Sequence, residues 1–188
     1  MAANFMRQLF GKRAFELQEA DGSRDAYAKM IERGEEGDDQ LSAREAGFIA
    51  QRDSFYIASV TEDGWPYVQH RGGPKGFLKP LPGNRLGFAD FGGNRQFVSA
   101  ANIDDVGRVS LFLMDYPHRK RLKIIGTARW EAASPDHELW NELVDPDYEA
   151  QVQRFFVIDV VGFDWNCPQH ISPRFTAEEW AEMTAESE

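Results

Sequence analysis

The chain has 188 residues, 42% hydrophobic and 28% charged, the length of one domain and the composition of a packed one. Its formal net charge of −10 argues against a general nucleic-acid partner, which needs a basic surface. No apolar run approaches the ~18–20 residues of a membrane span. The single cysteine, Cys167, excludes an intrachain disulfide. No signal-peptide core stands at the N-terminus, so a cytoplasmic location is expected. Aromatic residues reach 13%, which suits a dense core or a site that stacks a planar ligand.

Residues 1–50 read as a helical preface. Phe5, Leu9 and Phe10 recur at helical spacing before Gly11, and Ser23 stands where a helix carrying Tyr27, Met30 and Ile31 would be capped, with Gly34 ending it. Ser42 and Glu45 form a capping-box pattern that opens a further helix to about Arg52. From Ser54 the period becomes strand-like. Ser54–Thr61, Tyr67–Arg71, Lys75–Lys79, Arg85–Ala89, Arg108–Met114, Arg121–Glu131 and Phe155–Phe163 are the expected strands. Asp63-Gly64 and Pro82-Gly83 supply turn signals between neighbours. Short strands at close spacing indicate an antiparallel barrel or sandwich, not a doubly wound sheet. Ser134-Pro135 reads as a helix start before Leu139, Trp140 and Leu143. Thr176 and Glu179 form a second capping box, in an acidic C-terminal segment of residues 175–188.

Charge is unevenly distributed. Residues 65–130 carry eleven basic and four acidic groups, a net of +7, whereas residues 131–188 carry two basic and fourteen acidic groups, a net of −12. A basic centre in an acidic chain fits either complementarity between segments or a site for a small anion such as a phosphate ester. The familiar nucleotide loops are absent: no GxGxxG follows a strand and there is no GxxxxGK[ST]. The four histidines lack metal-ligand spacing, and one cysteine cannot build a thiolate zinc site.

Three clusters remain. Gln69-His70-Arg71-Gly72-Gly73 and Phe91-Gly92-Gly93-Asn94-Arg95-Gln96 each place Gly-Gly beside arginine at a strand end. Glycine lets backbone N–H groups approach an anion, and arginine binds phosphate oxygens as a fork. Ordinary turns with incidental charge are the competing reading for each. The third cluster, Asp164–Arg174, gathers Trp165, Asn166, Cys167, Gln169 and His170 after the last strand. No cation lies within two residues of Cys167 to lower its pKa, which makes it a packing or contact residue instead of a nucleophile.

On these residues the chain resembles the pyridoxamine 5'-phosphate oxidase-like, FMN-binding split-barrel family. Asp63–Pro74, Gly87–Phe91, Gly93–Gln96 and Met114–Pro117 carry the likeness, which spans about residues 42–174. The Asn166–His170 ending is similar to one uncharacterised bacterial branch. The resemblance implies a mainly β (α+β) fold, a six-stranded antiparallel split β-barrel with flanking helices over residues 51–174. It also implies a homodimer holding FMN at its interface. Residue by residue it assigns Gln69, His70, Arg71 and Lys75 to the strand and turn beside the cofactor. Phe88, Ala89 and Asp90 match the strand end near the flavin ring, and Asn94, Arg95 and Gln96 match the phosphate loop. Trp165, Cys167 and Gln169 would reach across from the partner subunit. The Arg-Leu-x-Pro-type segment of true vitamin B6 oxidases is missing, so the resemblance implies flavin-mediated two-electron transfer on another small redox substrate. His70 and Gln169 are the candidate catalytic residues. An FMN carrier or sensor without turnover, and a haem-binding split-barrel protein, are the alternatives.

Overall fold

The computed structural model describes residues 3–34, 39–93, 95–165 and 168–185. Three helices lead: α1 (Ala3–Leu9), α2 (Lys12–Asp21) and α3 (Arg24–Arg33). They are followed by α4 (Ala43–Ile49), β1 (Ser54–Val60), β2 (Pro66–Gly72), β3 (Lys79–Leu81) and β4 (Arg85–Phe91). The chain continues through α5 (Val98–Asp105), β5 (Arg108–Asp115), β6 (Lys120–Ala132), α6 (Trp140–Leu143), β7 (Val152–Trp165) and α7 (Ala177–Ala185). None of these helices is long and apolar enough to cross a membrane.

All pairings are antiparallel, in the order β2-β1-β5-β6-β7-β4-β3. Seven strands form, the number read from the sequence and one more than the six that the resemblance implies, because the three-residue β3 adds to the edge beyond β4. Strand alternation builds the core. Phe55 and Ile57 of β1, Leu111 and Leu113 of β5, Leu122 and Ile124 of β6 and Phe156 and Ile158 of β7 converge with Leu86 and Phe88 of β4. Each such side chain contributes about 1.5–3 kcal/mol when fully buried. A smaller cluster on the other face joins Ala89, Phe155 and Val157 to Leu81 and Leu143 of α6, so β7 is buried on both faces. Between Ile125 and Gly126 the β6–β7 register shifts. A Cβ at Gly126 would lie 2.4 Å from the Asp159 carbonyl oxygen, so glycine permits the close approach there.

The capping box at α4 is present: Ser42 Oγ accepts from Arg44 N at 3.2 Å, and Glu45 Oε2 accepts from Ser42 N at 3.1 Å. The box at Thr176 and Glu179 is present too. Three expectations need correction. Lys75–Leu78 is turn and coil, and the strand begins only at Lys79. Phe77 is apolar because it stacks on Phe55 at 5.5 Å, not because it belongs to a ladder. Ser134-Pro135 opens a turn, and the helix beyond it is only Trp140–Leu143. Ser23 precedes α3 but makes no side-chain cap. The sequence reading also passed over α5, whose buried apolar stripe is only Ala100 and Ile103. It docks through a buried polar contact, Asn102 Nδ2 donating to Ser59 Oγ at 2.9 Å.

Candidate functional site

Among the described residues, strand β2 pairs only with β1, and β4 only with β7 and β3. The sheet curls until these two strands face one another without a shared backbone ladder, and side chains bridge the split. On β2, Tyr67, Gln69 and Arg71 alternate toward the split, while Val68 and His70 face outward. The Arg71 guanidinium crosses to Asp90 Oδ1. Arg154 of β7 donates from Nη1 to Asp90 Oδ2 at 2.6 Å. Asp90 is only 5% exposed and has both oxygens engaged. A buried carboxylate shared by two guanidiniums leaves local positive charge in excess.

The arginines are held by aromatic faces. Arg71 lies 5.4 Å from the Phe156 ring centroid and 5.9 Å from that of Phe88, and those two rings stack at 5.0 Å. Arg154 sits 4.8 Å from Phe97 and 5.6 Å from Trp130. Such contacts fix a guanidinium without neutralising it.

This arrangement walls two adjoining cavities that share Arg71, Asp90 and Phe91. The larger, about 260 Å³, is also lined by Tyr67, Gln69, Arg95, Gln96, Ser99 and Arg154. The smaller, about 150 Å³, adds His70, Gly72, Phe77, Phe88 and Ala89. The loop between β4 and α5 forms one wall of the larger. Arg95 and Phe97 both adopt left-handed backbone, each with φ +57°, an arrangement that costs a non-glycine residue about 1–3 kcal/mol. It turns the first residues of α5 toward the cavity, where Val98, Ser99 and Ala100 line the wall. The partial positive charge of that helix start adds to the arginines. Ser99 Oγ donates to Gln69 Oε1 at 2.7 Å, tying α5 to β2 across the cavity wall.

Three guanidiniums (Arg71, Arg95, Arg154) face one carboxylate (Asp90) around the larger cavity. Arg71 Nε is buried and has no hydrogen-bond partner among the described residues. A buried donor without an acceptor is costly, about 1–3 kcal/mol. An oxyanion in the cavity would relieve it, so the residues present fit a phosphate-bearing group.

The structure brings Gln69, His70, Arg71, Phe88, Ala89, Asp90, Arg95 and Gln96 to these cavities. Phe88 and Ala89 are buried, and their side chains pack in the two hydrophobic clusters. Lys75 is not brought here; it lines a separate cleft. Trp165 lies at the far end of β7, packed edge-on to Phe48 at 4.8 Å, and its Nε1 donates to Glu45 Oε1 at 2.7 Å. Gln169 is exposed in the turn after β7. Neither lines the cavities of its own chain. Asn94, Asn166 and Cys167 lie outside the described residues. Arg154, Ser99 and Tyr67 are site residues that the sequence reading did not single out. Arg154 left one signal: it is one of only two basic residues after Trp130.

Comparisons with known proteins agree with this architecture. A family model described as pyridoxamine 5'-phosphate oxidase matches residues 41–184. Among solved structures, HupZ of Group A Streptococcus aligns with a TM-score of 0.52 at 14% identity, over 72% of this chain and 100% of that one. A putative pyridoxamine 5'-phosphate oxidase from Lactobacillus delbrueckii aligns with a TM-score of 0.50 at 16% identity, over 67% of this chain and 94% of that one. No curated protein matches the sequence.

Proposed function

Because the chain belongs to the pyridoxamine 5'-phosphate oxidase family, we propose that its paired cavities hold the phosphate and ribityl chain of FMN in a flavoprotein oxidoreductase. The observation that carries this reading is the buried, unpartnered Nε of Arg71 in the wall of a cavity with excess positive charge. Bound FMN would supply two-electron chemistry. The protein's part is binding, orientation and electrostatics. Arg95 and Arg154 face the phosphate, with Arg71 deeper in the split. Gln69, held at its Oε1 by Ser99, offers its amide to the ribityl or ring edge. Gln169 of a partner subunit and His70, which borders the smaller cavity while its ring turns outward against Tyr56, are the residues proposed to place a donor near the ring.

A homodimer completes the reading. The two cavities, about 260 and 150 Å³, take the phosphate and ribityl chain in this reading, and the ring is left for a second copy to cover. β2 is an edge strand whose outer side carries Val68, 60% exposed, beside Trp65, 74% exposed. An apolar groove of about 440 Å³, lined by Leu9, Ala58, Val60 and Ile125, continues this surface. A second copy is the proposed occupant, bringing its Trp165, Cys167 and Gln169 to the ring.

The test is the absorption spectrum of the purified protein, with light scattering. Flavin bands that persist through gel filtration, on a dimer, are the expected result. Colourless protein that takes up no added FMN, or a Soret band, would overturn the flavin assignment. Steady-state oxidation of NADH or NADPH with an electron acceptor separates an enzyme from a carrier.

A further inference from the structure

Phe97 breaks two local rules at once. Its backbone has φ +57° and ψ +10°, a left-handed conformation that glycine and asparagine adopt readily and that is an outlier for a bulky side chain. It is also the N-cap of α5, a position that favours serine, threonine, aspartate, asparagine or glycine, and its side chain makes no capping hydrogen bond. Glycine would make the same turn into α5 without the strain.

Packing within the chain does not account for phenylalanine here. The ring is 50% exposed and belongs to neither hydrophobic cluster. What the ring faces is the site. The Arg154 guanidinium lies over the Phe97 ring at 4.8 Å and over the Trp130 ring at 5.6 Å, and Phe97 itself lines the larger cavity. An aromatic face attracts the cation without consuming its in-plane N–H donors. Of these donors, Arg154 Nη1 is committed to Asp90 Oδ2 at 2.6 Å, whereas Nη2 reaches Gln153 Oε1 only at a long 3.4 Å. A locally disfavoured residue held at a cavity wall marks a position where another interaction outweighs the strain.

We propose that Phe97 is a positioning residue of the phosphate site. Its ring fixes the Arg154 guanidinium at the cavity wall in the orientation that a phosphate requires, and so sets the preference of this chain for phosphorylated flavin over riboflavin. The left-handed backbone is the cost, carried by the stability of the fold. This rests on the reading that the larger cavity holds the phosphate of FMN. A guanidinium released from the ring would regain rotamer freedom that phosphate binding must then remove.

The test is fluorescence titration of FMN and of riboflavin into the full chain, freed of flavin, and into its Phe97→Gly, Phe97→Asn and Phe97→Tyr variants. Thermal melts and light scattering are recorded on the same samples. Phe97→Gly and Phe97→Asn are expected to raise Tm by relieving the backbone, yet to weaken FMN about two- to tenfold, the range spanned by ordering one long side chain. Riboflavin should bind all four proteins alike. Phe97→Tyr, which keeps the ring, should match the parent in Tm and in FMN affinity. A lower Tm in both Phe97→Gly and Phe97→Asn, or a change of oligomeric state, would make Phe97 a packing or interface residue and overturn the proposal. FMN affinity that is unchanged in both variants, or weakened in step with riboflavin, would overturn it too. In those cases the parent still prefers FMN, and the phosphate site stands. A parent that binds FMN no more tightly than riboflavin overturns the phosphate site itself, and this proposal with it.

Discussion

Arg71 on β2 and Asp90 on β4 are joined by a salt bridge across a split where their strands share no backbone hydrogen bonds. The residues that close the barrel are thus the residues that line the positive cavity at the split. Arg154 shares the same carboxylate from β7. Removing Asp90 leaves two largely buried guanidiniums facing one another. Asp90→Ala is expected to destabilise the fold by about 3–5 kcal/mol, read as a lower urea midpoint. A midpoint within experimental error of the parent would show that the bridge does not hold the split together.

Arg95 is exposed and lies in the loop that walls the cavity. Arg95→Ala should leave thermal stability unchanged and weaken FMN roughly 10- to 100-fold, the loss of one charge-assisted hydrogen bond of about 1.5–3 kcal/mol. Riboflavin, which lacks the phosphate, should bind parent and variant alike. Equal weakening of both ligands would remove Arg95 from the phosphate site.

Ser99 tethers Gln69 at 2.7 Å from the first turn of α5. Ser99→Ala should cost FMN affinity several-fold by freeing the Gln69 amide to rotate, with Ser99→Thr restoring it. Fluorescence titration of flavin against the three proteins checks this. An unchanged dissociation constant in Ser99→Ala would make the contact purely structural.

Asn102 and Ser59 form a buried side-chain hydrogen bond that seats α5 on β1. Ser59→Ala leaves the Asn102 amide unsatisfied and should cost about 1–3 kcal/mol, or roughly 2–4 °C of Tm for each kcal/mol in a chain of this size. Calorimetry measures it directly.

Glu45 supplies the pH dependence. Burial disfavours its charge, but hydrogen bonds from Ser42 Oγ, Trp165 Nε1 and the Ser42 backbone together outweigh burial and hold its carboxyl below the usual glutamate value. A depressed carboxyl contributes stability that is fully present above its unfolded pKa and lost as pH falls through the folded one. Parent protein should therefore lose Tm faster than Glu45→Gln as pH drops below the ordinary carboxylate range. Parallel curves for the two proteins would remove Glu45 from the acid transition.

The sequence by itself determined what depends on local chemistry. Period-two runs specified most of the strands, because a residue pair on opposite faces of a pleat must alternate in polarity. Ser42 with Glu45 and Thr176 with Glu179 announced two helix starts, since a capping box is closed within four residues. Gly-Gly-Arg at two strand ends marked half of the candidate site. Tertiary structure decided the rest. Lys75 follows the same strand as Arg71, yet the turn at Pro74-Lys75-Gly76 sends it to the other cleft. Phe77 and Leu78 looked like strand because burial, not pairing, required them to be apolar. Arg154 stands 64 residues from Asp90, and no spacing rule connects them. Its place follows from the β4–β7 register, in which Asp90 pairs directly with Arg154. A charge network drawn from three strands, distant in the chain, exists only once the sheet has curled far enough for β2 to meet the end of β4 that runs beyond β3.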